Sequence, residues 1–313
     1  MVAATPGIIP NADPSRWQEH RFGLSAERWA TLGHGAYWIT GAGTGYGQAL
    51  AIALAAAGAE AILTGRRREP LQHTRARATE LGVAGDRFHV VPADVTDPAA
   101  IGAAATSILR EARPLAGLVN CAALPQARHD PWPLLDGNRE TWDRLMATNV
   151  TGAWLMSRAA VPLMISGARV RVLLLTSEAG WASTPGVGPY NVSKAALNGL
   201  GASLAAEVAA RHPRLDIQIN VLDPGEAGTE MNRGSTISPF AVVSMALALL
   251  SHPANGPNGR FFHRDGRHLS FAYAEPWPRP VLPPDGAAAS PRGGVARQPR
   301  WLRRPLGRPS REL

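Results

Sequence analysis

Ala36-Tyr37-Trp38-Ile39-Thr40-Gly41-Ala42-Gly43-Thr44-Gly45-Tyr46-Gly47 is the stretch on which the reading of this chain turns. Its first five residues are mostly bulky or β-branched, the composition of a buried strand. Glycine then occupies every second position from 41 to 47, and residues 46–57 are rich in alanine and leucine, as a helix would be. A strand that passes through a glycine turn into a helix lets backbone approach a pyrophosphate closely, while the helix N-terminus offers free N–H groups and a partial positive charge. The stretch therefore predicts a dinucleotide site with Thr40, Gly41, Thr44, Gly45, Tyr46 and Gly47 as contacts.

Outward from this turn, short apolar runs alternate with longer helical ones, the pattern of a parallel sheet covered on both faces. Strands are expected at 36–40, 59–64, 87–91, 116–120, 169–176, 216–222 and 260–263, and helices at 46–57, 69–81, 98–111, 139–165, 190–211 and 239–251. The expected fold is α/β: a Rossmann-like, doubly wound parallel sheet of about seven strands in a single domain, with ligands at the carboxyl ends of the strands. The second strand ends in Gly65-Arg66-Arg67-Arg68, with no carboxylate before Glu69. A guanidinium suits a ribose 2′-phosphate, so Arg66 and Arg67 favour NADP(H) over NAD(H). At the end of the third strand, Asp94 is placed to accept a hydrogen bond from an adenine amino group and Val95 to cover the ring. Asp97 caps the helix that Pro98 opens.

Tyr190-Asn191-Val192-Ser193-Lys194 opens the long helix after the fifth strand, and the i, i+4 spacing puts Tyr190 and Lys194 on one face. A free tyrosine titrates near pKa 10, and lowering that by about three units takes roughly 4 kcal/mol, part of which a nearby ammonium supplies. Lys194 is the single lysine among 32 basic residues. An ammonium, compact and with three donors, serves a ribose hydroxyl and a phenol together in a way a planar guanidinium does not. Ser177 precedes Tyr190 by 13 residues and stands where the fifth strand ends, so its hydroxyl is placed to polarise a substrate carbonyl.

The net charge of +8 suggests a nucleic-acid binder until it is located: residues 276–313 hold eight arginines against Asp285 and Glu312, leaving a nearly neutral body. Nine prolines in that segment leave too little apolar material for a core, and it is read as a disordered tail with no nucleic-acid partner. The chain thus divides into an N-terminal extension, 1–35, packing on the body or a partner; a dinucleotide-binding domain, 36–275; and the tail, 276–313. The absence of a long apolar run predicts no membrane association. The single cysteine, Cys121, fits a reducing, cytoplasmic setting and reads as a small buried side chain rather than a nucleophile. With no histidine or cysteine cluster at metal-ligand spacing, no metal site is expected.

Taken together, these residues resemble the short-chain dehydrogenase/reductase family, of the compact single-domain type, over about residues 34–273. Residues 40–47 fit the family's Thr-Gly-x-x-x-Gly-x-Gly turn, and Ser177, Tyr190 and Lys194 fall at its catalytic positions. The resemblance makes Asn149 a fourth catalytic residue that kinks its helix and anchors a water linked to the lysine. It also adds Asn120 and Ala122, and Pro224, Gly225 and Thr229 as the stretch that holds the nicotinamide carboxamide. Two departures stand out: Asn120-Cys121-Ala122-Ala123 replaces the usual Asn-Asn-Ala-Gly, and Tyr46 replaces a branched aliphatic residue, giving a bulkier wall beside the nicotinamide. The implied activity is hydride transfer between NADP(H) and a ketone, aldehyde or secondary alcohol, with Tyr190 exchanging the proton. The implied assembly is a homodimer or homotetramer built through the two long helices. The rival readings are a non-catalytic dinucleotide-binding regulator or scaffold and a sugar-nucleotide epimerase or dehydratase.

Overall fold

The computed structural model describes residues 16–125, 134–135, 137–182 and 186–270. The arginine- and proline-rich segment at 276–313 lies outside them. Among the described residues eight strands form one sheet: β1 (Ala36–Thr40), β2 (Glu60–Thr64), β3 (Phe88–Val90), β4 (Leu115–Asn120), β5 (Arg169–Leu175), β6 (Asp216–Asp223), β7 (Phe261–His263) and β8 (His268–Leu269). Their order is β3-β2-β1-β4-β5-β6-β7-β8, parallel throughout except for β8, which turns back on β7. The chain runs outward from β1 to β3 and then returns to β4 on the other side of β1. This reversal opens a crevice at the carboxyl ends of β1 and β4, where open α/β sheets bind their ligands.

Alternation along the strands makes two core layers. Tyr37 and Ile39 of β1 face one side, with Leu50 and Leu54 of α3 (Gly45–Ala56), Leu71 of α4 (Arg68–Glu80) and Leu247 of α9 (Val243–Leu250). Ala36 and Trp38 face the other, with Ile101 and Ile108 of α5 (Pro98–Glu111), Met156 and Met164 of α7 (Gly152–Ile165) and Leu197 of α8 (Gly188–Arg211). Strands buried on both faces have no polar side to show, which is why they read as apolar runs. One polar pair is satisfied locally: Trp38 Nε1 donates to Thr64 Oγ1 at 2.8 Å, and that hydroxyl donates to Val91 O at 3.0 Å, tying β1, β2 and the end of β3 together.

Before β1, α1 (Trp17–His20) and α2 (Ala26–Leu32) lead into the sheet, and α2 starts on Ser25, whose Oγ accepts the Arg28 N–H at 3.3 Å. Such a cap contributes about 1 kcal/mol. Trp17, Phe22 and Trp29 are buried in the same layer as α3 and α9, and the Trp17 ring lies 5.4 Å from that of Phe240.

Two of the expected helices are not continuous. The run expected at 139–165 is α6 (Arg139–Met146) joined to α7 through a π-helical turn at Ala147–Thr151, and the run at 239–251 begins as a 3-10 turn, Pro239–Val242. An eighth strand, β8, was not expected because two residues are too few to show an alternation. No helix among the described residues is long and apolar enough to cross a membrane.

Candidate active site

The glycine turn sits at the crevice as its spacing requires. Gly45 adopts φ +56°, a left-handed conformation that side chains rarely tolerate, and a Cβ at Gly47 would lie 2.3 Å from Gly41 O. The first turn of α3 therefore packs directly on the preceding backbone, and its N-terminal amides face an open groove of about 420 Å³. The groove is lined by Gly41, Gly43, Thr44, Gly45, Tyr46 and Gly47, then by Arg66 and Arg67 beyond β2, Asp94 and Val95 beyond β3, and Ala122 beyond β4. Nearly every cofactor residue expected from this half of the chain is thus gathered in one place.

Two are not on its surface. Thr40 is buried, and its Oγ1 accepts the N–H groups of Cys121 and Ala122, both at 3.1 Å, so it fixes the β4 loop from beneath. Asn120 is also buried, with Nδ2 donating to Ser157 Oγ at 3.4 Å. Asp94 has one carboxylate oxygen engaged by the N–H and hydroxyl of Thr96, at 2.9 and 2.8 Å. Arg67 pairs with Glu230 across the groove at 3.6 Å, both side chains well exposed.

Next to the groove, and sharing Tyr46, Cys121, Thr229 and Met231 with it, lies a second cavity of about 500 Å³. Ser177, Tyr190 and Lys194 all line it, together with Pro224, Gly225 and Thr229. Lys194 is buried, 3% exposed, and its Nζ donates to Leu175 O at 3.0 Å while standing 5.6 Å from the centre of the Tyr190 ring. Burial pulls the lysine down to about 8, against the raising influence of Cys121 and Asp223. Burial pushes the Tyr190 phenol up to about 12; a hydrogen bond with Ser177 opposes this and Asp223 adds to it. The phenol therefore stays above its ordinary value even with the ammonium close by, where the sequence suggested a lowering.

Asn149 lies in the π-helical turn, outside the cavity. Its Oδ1 accepts the Leu124 N–H at 2.7 Å, and its Nδ2 donates to Leu124 O at 3.1 Å and to Ser193 Oγ at 3.0 Å. Ser193 in turn donates to Tyr190 O at 2.8 Å, so Asn149 reaches the tyrosine through its own turn of helix. Burial likewise pushes the Cys121 thiol up to about 12, Lys194 opposing, which keeps it a neutral part of the wall.

Sequence reasoning missed two features. Tyr46 is more than a bulky wall: its hydroxyl donates to Gly225 O at 2.6 Å, linking the glycine turn to the loop after β6. Asp223, the last residue of β6, is 1% exposed; its oxygens accept from Trp181 Nε1 at 2.8 Å and from Gly225 N at 2.9 Å. A carboxylate closing an apolar strand was the available signal.

A doubly wound sheet whose switch-point crevice joins a serine–tyrosine–lysine cavity defines a Rossmann-type protein. Residues 36–238 match the short chain dehydrogenase family model, and the chain belongs to that family of oxidoreductases. It is 33% identical over 193 residues to gluconate 5-dehydrogenase of Gluconobacter oxydans, covering 62% of this chain and 71% of that one. It is 38% identical over 157 residues to inactive 2-(S)-hydroxypropyl-CoM dehydrogenase 2 of Xanthobacter autotrophicus, covering 50% of this chain and 64% of that one. For the rat dehydrogenase/reductase SDR family member 4 the match spans 32% of the relative's length. Among solved structures, a short chain dehydrogenase from Shigella flexneri superposes with a TM-score of 0.68 at 23% identity, over 78% of this chain and 96% of that one. An actinorhodin polyketide ketoreductase solved with NADPH gives 0.66 at 22%, over 74% and 96%. At these identities the structures speak for the fold.

Proposed function

We propose that this chain is an NADP(H)-preferring reductase or dehydrogenase acting on a ketone, aldehyde or secondary alcohol, with Tyr190 exchanging the proton. The observation that carries the reading is that Ser177, Tyr190 and Lys194 line one cavity, and that this cavity shares a wall with the glycine groove. The groove fits a dinucleotide: the glycine contacts leave no room for a Cβ, and amides and arginines supply donors for phosphates. When bound, NADP(H) supplies or accepts the hydride.

The chain's own residues do the rest. The Ser177 hydroxyl, hydrogen-bonded to Tyr190, is placed to steady a carbonyl oxygen in the cavity. A phenol held near 12 keeps its proton at neutral pH yet is far more acidic than an alcohol, so it suits a donor to a forming alkoxide. Lys194 places a donor group in the same cavity, and Asn149 holds the helix turn beneath Tyr190. Arg66 and Arg67 edge the groove where a ribose 2′-phosphate would lie, which supports the NADP(H) preference. The same reading extends to a dimer or tetramer through α7 and α8 and to a cytoplasmic setting.

Tyr190→Phe tests it. Turnover of a panel of carbonyl compounds, followed by loss of the reduced-nicotinamide absorbance, is expected to fall about 10³-fold. Binding of NADPH, read by quenching of tryptophan emission, is expected to persist. Retained turnover would remove Tyr190 from the reaction.

A further inference from the structure

We propose that Asp223 is a positioning residue of this site: its buried carboxylate is the counter-charge of the Lys194 ammonium and locks the Ser177 loop to the turn that follows β6. The inference rests on the reading of Tyr190 and Lys194 given above and deepens it.

The strand register brings these groups together. Leu175 pairs with Leu222, so Asp223 stands beside Thr176, between the carbonyl that holds Lys194 Nζ and the hydroxyl of Ser177. At 1% exposed, Asp223 has no water to solvate it, and an ionised carboxylate in such a place needs donors and a cation. The donors are Trp181 Nε1 at 2.8 Å and Gly225 N at 2.9 Å. Trp181 closes the short 3-10 turn that Ser177 opens, and Gly225 carries the carbonyl that accepts from Tyr46, so one carboxylate ties both sides of the cavity. Neither oxygen is bonded to Lys194; the ammonium is reached through space.

The influence of Asp223 on its titratable neighbours has one sign. From α8, Lys194 and Tyr190 are both raised by it, and from α3 so is Tyr46. Cys121, beyond β4, also raises Lys194; Arg264 and Glu226 act on Tyr46 with opposite signs, and Ser177 lowers Tyr190. Asp223 thus opposes burial at the lysine, keeping it charged, and reinforces burial at the phenol, keeping its proton on. Both effects favour a site loaded to deliver a proton.

The chain's single lysine makes the test direct. Protein labelled with lysine carrying carbon-13 at the ε position gives one side-chain resonance, whose shift against pH titrates Lys194 without any substrate. In Asp223→Asn, which keeps the size and an acceptor, the midpoint is expected to fall by roughly one pH unit. Asp223→Ser reads the same titration should the asparagine variant not fold. Trp181→Phe, which removes a tie and keeps the charge, leaves the midpoint near the parent's. In turnover, the basic limb of kcat/KM in Asp223→Asn moves to lower pH by the same amount, whereas a purely structural role lowers the rate equally at every pH. A lysine midpoint that ignores both Asp223 substitutions overturns the inference, whatever Tyr190→Phe does; turnover that survives Tyr190→Phe overturns the earlier reading and leaves the lysine titration standing.

Discussion

The groove beside β1 and the cavity beside β5 and β6 lie against each other and are made of different material. The groove is mainly backbone: glycines packed on glycines, the amides at the start of α3, and a β4 loop held from below by the Thr40 hydroxyl. The cavity is mainly side chain: a phenol raised to about 12 and an ammonium lowered to about 8, backed by a buried carboxylate held between two hydrogen-bond donors. A surface of main-chain amides tolerates changes of residue type but not the addition of atoms. A surface of displaced protons tolerates changes of volume but not of chemistry. Only Tyr46 and its neighbours on the shared wall belong to both.

That contrast is broken most strongly by adding one carbon to the groove. Gly47→Ala sets a Cβ 2.3 Å from Gly41 O, and since both are backbone-anchored the start of α3 must shift. A displacement of about 1 Å costs roughly 100-fold in a positioned site, so dinucleotide affinity, measured by fluorescence titration, is expected to fall by about that factor. The lysine resonance of the neighbouring cavity should keep its midpoint; if it moved, groove and cavity would not be separable. A smaller effect is expected from Arg66→Ala, which leaves the backbone intact and removes one charge-assisted donor. The ratio of NADPH to NADH affinity is expected to fall about tenfold, equivalent to about 1.4 kcal/mol. A ratio that stays unchanged would place the 2′-phosphate elsewhere.

The two regions were also unequally readable in the sequence. Glycine spacing is dictated by sterics, so residues 40–47 pointed to the groove from a single strand–turn–helix pattern, and the bounds of β1 and α5 came out as expected. That pattern named Thr40, and the family resemblance named Asn120, as cofactor positions, and both side chains lie beneath the groove, because a motif marks a position along the chain and not the side of the backbone on which its side chain lies. In the cavity, Tyr190 and Lys194 announced themselves by helical spacing and by the rarity of lysine. Asp223 did not, since its partners Trp181 and Gly225 are brought to it only by the pairing of β5 with β6 and the turn beyond. The π-helical turn at Ala147–Thr151 was legible only through the family resemblance, which gave Asn149 a kink in its helix: Asn149 bonds to Leu124 and Ser193, both distant in the chain, and no local periodicity records that.

Cys121, on the shared wall, gives the smallest expected effect and the finest test of how closed that wall is. Its thiol is raised to about 12, whereas an unfolded cysteine titrates near 8.5, so between these values the folded chain keeps a proton that the unfolded chain has lost. Stability then falls as pH rises, by about 1.4 kcal/mol per unit from this group. Lys194 works in the opposite sense: it is lowered to about 8 from an unfolded value near 10.4, so over that window the unfolded chain binds the extra proton and stability rises with pH. The two slopes oppose each other between about pH 8.5 and 10.4, before Tyr37 and Tyr190, both raised to about 12, add a further loss above pH 10. Cys121→Ala removes one side of this balance. Relative to the parent protein, its stability in urea unfolding should improve by about 1–2 kcal/mol between pH 8 and pH 10, whatever constant penalty the missing sulfur imposes. A difference between variant and parent that does not change with pH would mean that the thiol ionises as freely in the folded chain as in the unfolded one, and that the wall between groove and cavity is open to water.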